Sequence, residues 1–306
     1  MEPSICVIIP SYNCLEYLPQ ALDSIWAQSL RVKEVWVVDD GSSDGTAEWL
    51  QQQRPRHPAL HSLRLENVGP SAARNAALQL CQSDWVAFLD ADDLWYPDKL
   101  ARQWAALSAN PDATFCISNY LHIDEQRRPI IDCFSYWPEY GRQSWHSLSG
   151  DQLFAENVVG TSTVLARTQA LRQCGGFDET LRSASDWDLW LKLIRTGECV
   201  VEPECQMDYL MRAGSITRAR LKRLQAVERI IDRHQAHHSD DAVDSARAGL
   251  ARNYAEYYQE QGMFAKACAY QWQALRLKFH YQGVRHLLAA LKGGILAVAK
   301  PARWAQ

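Results

Sequence analysis

Short apolar runs alternate with helix-spaced stretches through the first half of the chain. ICVII at Ile5–Ile9 is apolar on both faces and ends at Pro10, which predicts a buried strand. Leu15, Leu18, Leu22, Ile25 and Trp26 follow at steps of three and four and predict a helix. VWVV at Val35–Val38 predicts a second buried strand, broken by Asp39-Asp40-Gly41, and SDGT then supplies cap residues for a helix through Leu50. A weaker strand is expected around Leu63–Leu65, and Gly69-Pro70-Ser71 opens the next helix. WVAFL at Trp85–Leu89 reads as a fourth strand, Pro97 as the start of a helix reaching Leu107, and Thr114–Ile117 as a fifth strand.

Strands apolar on both faces, alternating with helices, imply an α/β fold with a mostly parallel central sheet. Ligands of such sheets sit beyond the carboxyl ends of the strands. Three predicted strands end in polar groups: Ser11-Tyr12-Asn13, Asp39-Asp40, and Asp90 to Asp93. They are therefore expected to converge on one edge. From Asn119 to Asp151 the pattern weakens into a Trp- and Ser-rich stretch, expected to be a long connection or a lid. Order returns before Trp187, Trp190, Leu191 and Ile194, one face of a helix with Asp186 in its first turn. Beyond residue 215 only helical patterns follow, so the expected division is 1–215 and an all-helical extension at 216–306.

Composition narrows the class without choosing it. A net charge of −4 gives no push toward nucleic acid. Nine scattered cysteines without a CxxC pair favour a reducing, cytoplasmic setting over a disulfide framework. MEPSICVIIP has neither a basic start nor a long apolar core, and no apolar run is long enough to span a membrane.

The sharpest chemical feature is FLDADD, which places Asp90, Asp92 and Asp93 behind an apolar strand. A polar turn with a helix cap is the plain reading, and a metal site is the alternative. No GxGxxG follows the first strand and no GxxxxGK[ST] occurs, so phosphates would need neutralising in another way. A divalent cation held by one or two carboxylates would do so. In the same spirit Asp39-Asp40-Gly41 alone reads as a turn, Arg74 as a surface helix residue, and Asp186 as a helix start.

Five strings taken together change that balance: VIIPSYNCLEYLPQALDSIWAQ, VVDDGSSDGT, GPSAARNAAL, FLDADD and GGFDETLRSASDWDLWLKL. In this order and spacing they resemble the family 2 glycosyltransferases of GT-A fold, over roughly residues 4–215. The resemblance implies a sugar donor carried on a nucleoside diphosphate, inversion at the anomeric carbon, and Mg²⁺ or Mn²⁺. It implies Pro10 and Tyr12 along base and ribose, Asp39 and Asp40 reading the base with Asp40 in direct contact, and Arg74 near base or phosphates. Asp92 would hold the metal, with Asp90 on metal or ribose, and Asp186 would deprotonate the acceptor hydroxyl. A carboxylate at a helix start is favoured as the anion, which suits a base.

Two departures bear on the site. Ser185 stands where the family commonly has Glu before the Asp, and YLMRAGSITRAR lacks the family's histidine after the next strand. Arg212, Ser215 and Arg218 are candidates to replace that contact electrostatically. In the last third, Arg218–Arg233 is a basic amphipathic segment, and LARNYAEYYQEQGMFAKACAYQWQALRL resembles one tetratricopeptide-like hairpin turning at Gly262. HLLAALKGGILAVAKPARWAQ suggests an interfacial helix with Trp304 near headgroups, or a docked terminal helix at a homodimer interface. The expectation is a UDP-sugar donor, a glycan or lipid-linked acceptor in polysaccharide synthesis, and rest on the inner face of the membrane. A nucleotidyltransferase and an inactive sugar-nucleotide-binding assembly module are the alternatives.

Overall fold

The structure, a computed structural model, describes residues 2–136, 146–212, 220–279, 284–288 and 290–291. They fall into two compact units, one of 1–153 with 158–215, the other of 154–157 with 216–306. In the first unit the strands are β1 (Ile5–Ser11), β2 (Glu34–Asp39), β3 (Leu60–Arg64), β4 (Trp85–Phe88) and β5 (Leu94–Trp95). There follow β6 (Ala113–Ile123), β7 (Pro129–Asp132), β8 (Ser147–Leu148), β9 (Leu165–Arg167) and β10 (Glu198–Leu210). The helices are α1 (Leu18–Trp26), α2 (Thr46–Gln53), α3 (Pro70–Leu80), α4 (Lys99–Ala109), α5 (Gly150–Ala155), whose last two residues fall in the second unit, α6 (Thr168–Gln173) and α7 (Ser185–Leu193).

All ten strands join one sheet in the order β3-β2-β1-β4-β9-β6-β10-β5, with β7 against β6 and β8 against β10. β1 lies between β2 and β4 and runs parallel to both, with Ser11 beside Asp39 and Ile8 beside Phe88. The polar groups following these three strands therefore share one edge, as the hydropathy pattern requires. The short β9 runs antiparallel to both β4 and β6, and β6 and β10 are parallel again. The sheet is mixed: six strands, β3, β2, β1, β4, β6 and β10, run one way, and the short β5, β7, β8 and β9 pair antiparallel to them. Its strands carry the core, Ile5, Val7, Ile9, Val35, Val37 and Ala87 all being without exposed surface. The first helix begins at Leu18 and leaves Leu15 outside, because Pro19 suits a first turn.

The expected loop from Asn119 to Asp151 is corrected over its described part. β6 continues to Ile123 and turns back into β7, so residues 119–132 form a hairpin within the sheet. The polar string SNYLHI hid the strand because half of its positions are only partly covered. Residues 137–145 lie outside the described residues.

The second unit contains α8 (Arg220–His234), α9 (Asp240–Glu260) and α10 (Phe264–Leu277). Ser239 caps α9, its side chain accepting from the Ala242 N–H at 3.3 Å. Gly262 turns the chain with φ +70°, and α9 and α10 pack together, with Ala248, Ala251, Ala255, Ala267 and Ala274 among their buried residues. Tyr254, Tyr258 and Tyr270 stack at the hairpin, with centroids of Tyr254 and Tyr270 at 4.9 Å. Among the described residues no helix is long and apolar enough to cross a membrane. Ser215, Arg218 and the tail with Trp304 lie outside the described residues.

Candidate active site

The loops after β1 and β2 are tied into one wall. The Asn13 N–H donates to Ser42 Oγ at 3.0 Å, and Asn13 Oδ1 accepts the Ser43 N–H at 2.9 Å. Asp44 accepts the Leu15 N–H at 2.9 Å and holds Thr46 at the start of α2. Gly41 has φ +82°, and a Cβ there would stand 3.2 Å from the Leu65 carbonyl oxygen, so only glycine closes this turn without strain. Pro10, the last residue but one of β1, is half-buried, and Tyr12 stands 48% exposed on the wall, open to a planar ligand.

Asp39, the last residue of β2, and Asp40 just after it are both buried and hold protein groups. Asp39 accepts the Ser42 N–H at 2.8 Å and pairs with Arg64 at 2.7 Å. Asp40 accepts the Val68 and Gly69 N–H groups, both at 2.7 Å. Gly69 has φ +96°, Pro70 begins α3, and Asp40 thereby fixes the entry of that helix. Four residues into α3, Arg74 turns inward. It is buried, pairs with Asp90, and lies over the Phe177 ring at 5.3 Å, while its Nε has no partner.

A 3-10 turn at Thr161–Thr163 joins the acidic strand end to α7. Ser162 Oγ accepts the Asp90 N–H at 2.9 Å and donates to Asp93 Oδ2 at 2.6 Å. Its neighbour Thr161 donates to Asp186 Oδ2 at 3.4 Å. Ser185, the residue in place of a family glutamate, bonds Ser71 Oγ at 2.8 Å and so links the starts of α7 and α3. Beneath them Phe88 meets Phe177 at 5.3 Å and Trp190 at 5.9 Å, packing the Asp186 helix directly on β4. The site thus brings Arg74, Asp90, Asp92 and Asp186 around one turn.

Asp93 is an inward group. Burial, then the charges of Asp90 and Asp92, push its carboxyl well above the ordinary range. Asp92 is also raised, first by burial and then by Asp90, with Arg212 opposing. Arg212 Nε donates to Asp92 Oδ2 at 2.6 Å. The side chains of Asp90 and Asp92 keep 32% and 20% of their surface. Two partly open carboxylates one residue apart are the donor set a hard divalent cation takes. They fit such an ion, with Arg212 already on one of them.

The sequence reading missed the Thr161–Ser162 turn, since GTST carries no recognisable motif, and it missed the roles of Ser71 and Arg64. It named Arg212, which the structure places on Asp92.

Comparison with known proteins bears on the family and the fold. Residues 6–149 match the model of "Glycosyl transferase family 2". TuaG of Bacillus subtilis, a glycosyltransferase named for teichuronic acid biosynthesis, is 33% identical over 71% of this chain and 82% of its own. Chondroitin synthase of Escherichia coli is 28% identical over 64% of this chain, which spans 27% of that longer protein. Among solved structures, S. aureus TarS 1–349 in complex with UDP-GlcNAc superposes with TM-score 0.67 at 17% identity, covering 98% of this chain and 93% of that one. The mannosyltransferase PcManGT of Pyrobaculum calidifontis, in complex with GDP-Man and Mn²⁺, gives 0.61 at 19% identity over 97% and 88%. The chain belongs to glycosyltransferase family 2.

Proposed function

We propose that this chain transfers a hexose, with inversion, from a nucleoside-diphosphate sugar to a hydroxyl of a glycan or lipid-linked acceptor in polysaccharide synthesis. A UDP-sugar is the first donor to test, because TarS is in complex with UDP-GlcNAc; GDP-Man, bound by PcManGT, is the second. The observation that carries the reading is the single turn at Thr161–Ser162, which bonds Asp186 on one side and the Asp90 main chain on the other.

In this reading Tyr12 and Pro10 receive the base and ribose, and Asp39 and Asp40 shape that pocket by holding the Ser42, Arg64, Val68 and Gly69 groups that frame it. Arg74 lies against the diphosphate with Asp90. Asp92 and Asp90 would hold Mg²⁺ or Mn²⁺, which would supply positive charge to stabilise the diphosphate leaving group. Asp186 accepts the proton of the acceptor hydroxyl as its oxygen bonds the anomeric carbon. The bond from that carbon to the diphosphate breaks on the opposite face, and its electron pair leaves with the phosphate oxygen. A lipid-linked acceptor would bring the chain to a membrane surface, where the basic face of α8 suits anionic headgroups.

The test is nucleotide release from a panel of UDP-, GDP- and dTDP-sugars with Mn²⁺, Mg²⁺ or EDTA. One donor should hydrolyse slowly, and Asp92→Ala should slow it about tenfold or more. With acceptor supplied, Asp186→Asn should lower transfer about a hundredfold or more while nucleotide affinity stays within about twofold. A panel with neither turnover nor binding would sink the donor assignment.

A further inference from the structure

Asp90 and Asp92 already face one guanidinium each. Arg74, 8% exposed, takes Asp90, and Arg212, 25% exposed, takes Asp92. Arg212 is also gripped by the loop after β1. Its guanidinium carbon stands 5.2 Å from the Tyr17 ring centroid, and its Nη2 reaches Cys14 Sγ at 3.3 Å. Cys14 is buried and Tyr17 immediately precedes α1, so this grip comes from the same wall that presents Tyr12. A guanidinium is permanently charged, planar, and more weakly hydrated than an ammonium, which suits it to pairing with carboxylate and phosphate alike.

The position has a direct chemical consequence. A divalent ion taken by Asp92 would meet a cation already bonded to that carboxylate, and two cations on one carboxylate repel. We propose that Arg212 is the resident counter-ion of Asp92: a divalent ion has to displace it, and without the ion Arg212 itself neutralises the diphosphate. The second half rests on the donor reading above, whereas the competition concerns the ion and this side chain alone. Metal binding is then intrinsically weak, and nucleotide binding survives chelation.

Manganese binding measured by electron paramagnetic resonance, with no nucleotide present, tests the competition. Arg212→Met keeps a stem to pack on Tyr17 and removes the charge; Arg212→Lys keeps the charge. The methionine variant should bind Mn²⁺ about tenfold more tightly than wild type, with the lysine variant close to wild type. Calorimetry with UDP and with GDP, in EDTA and in Mn²⁺, tests the second half. Wild type should hold one of them in EDTA within about tenfold of its Mn²⁺ affinity, and Arg212→Met should lose about tenfold or more in EDTA and regain it with Mn²⁺. Unchanged or weaker Mn²⁺ binding in Arg212→Met overturns the competition. Loss of wild-type nucleotide binding in EDTA overturns the second half. If neither nucleotide binds any variant while Mn²⁺ binding tightens in Arg212→Met, the donor reading fails and the competition stands.

Discussion

Each oxygen of Asp40 accepts a main-chain N–H, from Val68 and from Gly69. Asp40→Asn turns one acceptor into a donor facing an N–H in a buried place. It should cost about 1–3 kcal/mol in denaturant unfolding, and nucleotide affinity should fall with it, since Arg74 follows on the same helix. The sequence identified this aspartate as notable without showing what occupies it. The partners lie 28 and 29 residues away, and only the register of β1 with β2 and the entry of α3 bring them there. Lys99 is the opposite case, an ordinary residue by pattern that proves extraordinary by place. It has no exposed surface, donates to Gln103 Oε1 at 2.8 Å, and lies 4.1 Å from the Trp95 ring centroid. Burial pulls its pKa down from 10.5 to about 7. Between these values the unfolded chain binds the proton and the folded one does not, so this group's contribution to stability rises with pH. Below the folded value the cost is constant. The stability advantage of Lys99→Met over wild type should therefore be at its full, constant value below about pH 7 and shrink by roughly 2 kcal/mol between pH 7 and pH 9, as read from paired urea curves.

At the level of elements, α7 shows how packing places a reactive group. Trp187 Nε1 donates to the Leu153 carbonyl at 2.8 Å, and Trp190 has no exposed surface where it meets Phe88. Trp190→Ala leaves a cavity between Asp186 and β4. It should destabilise the unit by about 3–5 kcal/mol in chemical unfolding and lower kcat more than it raises KM. This helix was legible because its apolar face repeats and its first turn is acidic. β10 was not legible. Its sequence ECVVEPECQMDYL carries Pro203 and three glutamates, and its pairing with β6 shifts register around Glu202, Cys205 and Asp208. A proline and a broken alternation read as a loop, while the sheet absorbs both through irregular pairing. The three residues of β9 are too few for any period, yet they join the two halves of the sheet.

At the scale of the whole molecule, two compact units carry separate cores, one built on the sheet and one on helices. Calorimetric melting should resolve two transitions, and a bound nucleoside diphosphate should raise only the one belonging to the sheet unit. At about a hundred times its dissociation constant the ligand adds roughly 2.7 kcal/mol to that unit. A single transition moving as a whole would show that the units unfold together. The position of β9 also governs how the protein is made. The block β3-β2-β1-β4 is complete once Phe88 has left the ribosome, but the strand that covers the outer edge of β4 begins at Leu165. At roughly 5–20 residues per second, that edge waits several seconds for its partner. During that interval WVAF presents open hydrogen-bonding groups on an apolar strand, and β6 emerges beside it with no β9 to separate them. Nascent chains of this enzyme are therefore most prone to mispairing and capture by chaperones at lengths between these two points, and codon changes that slow that stretch should lower soluble yield.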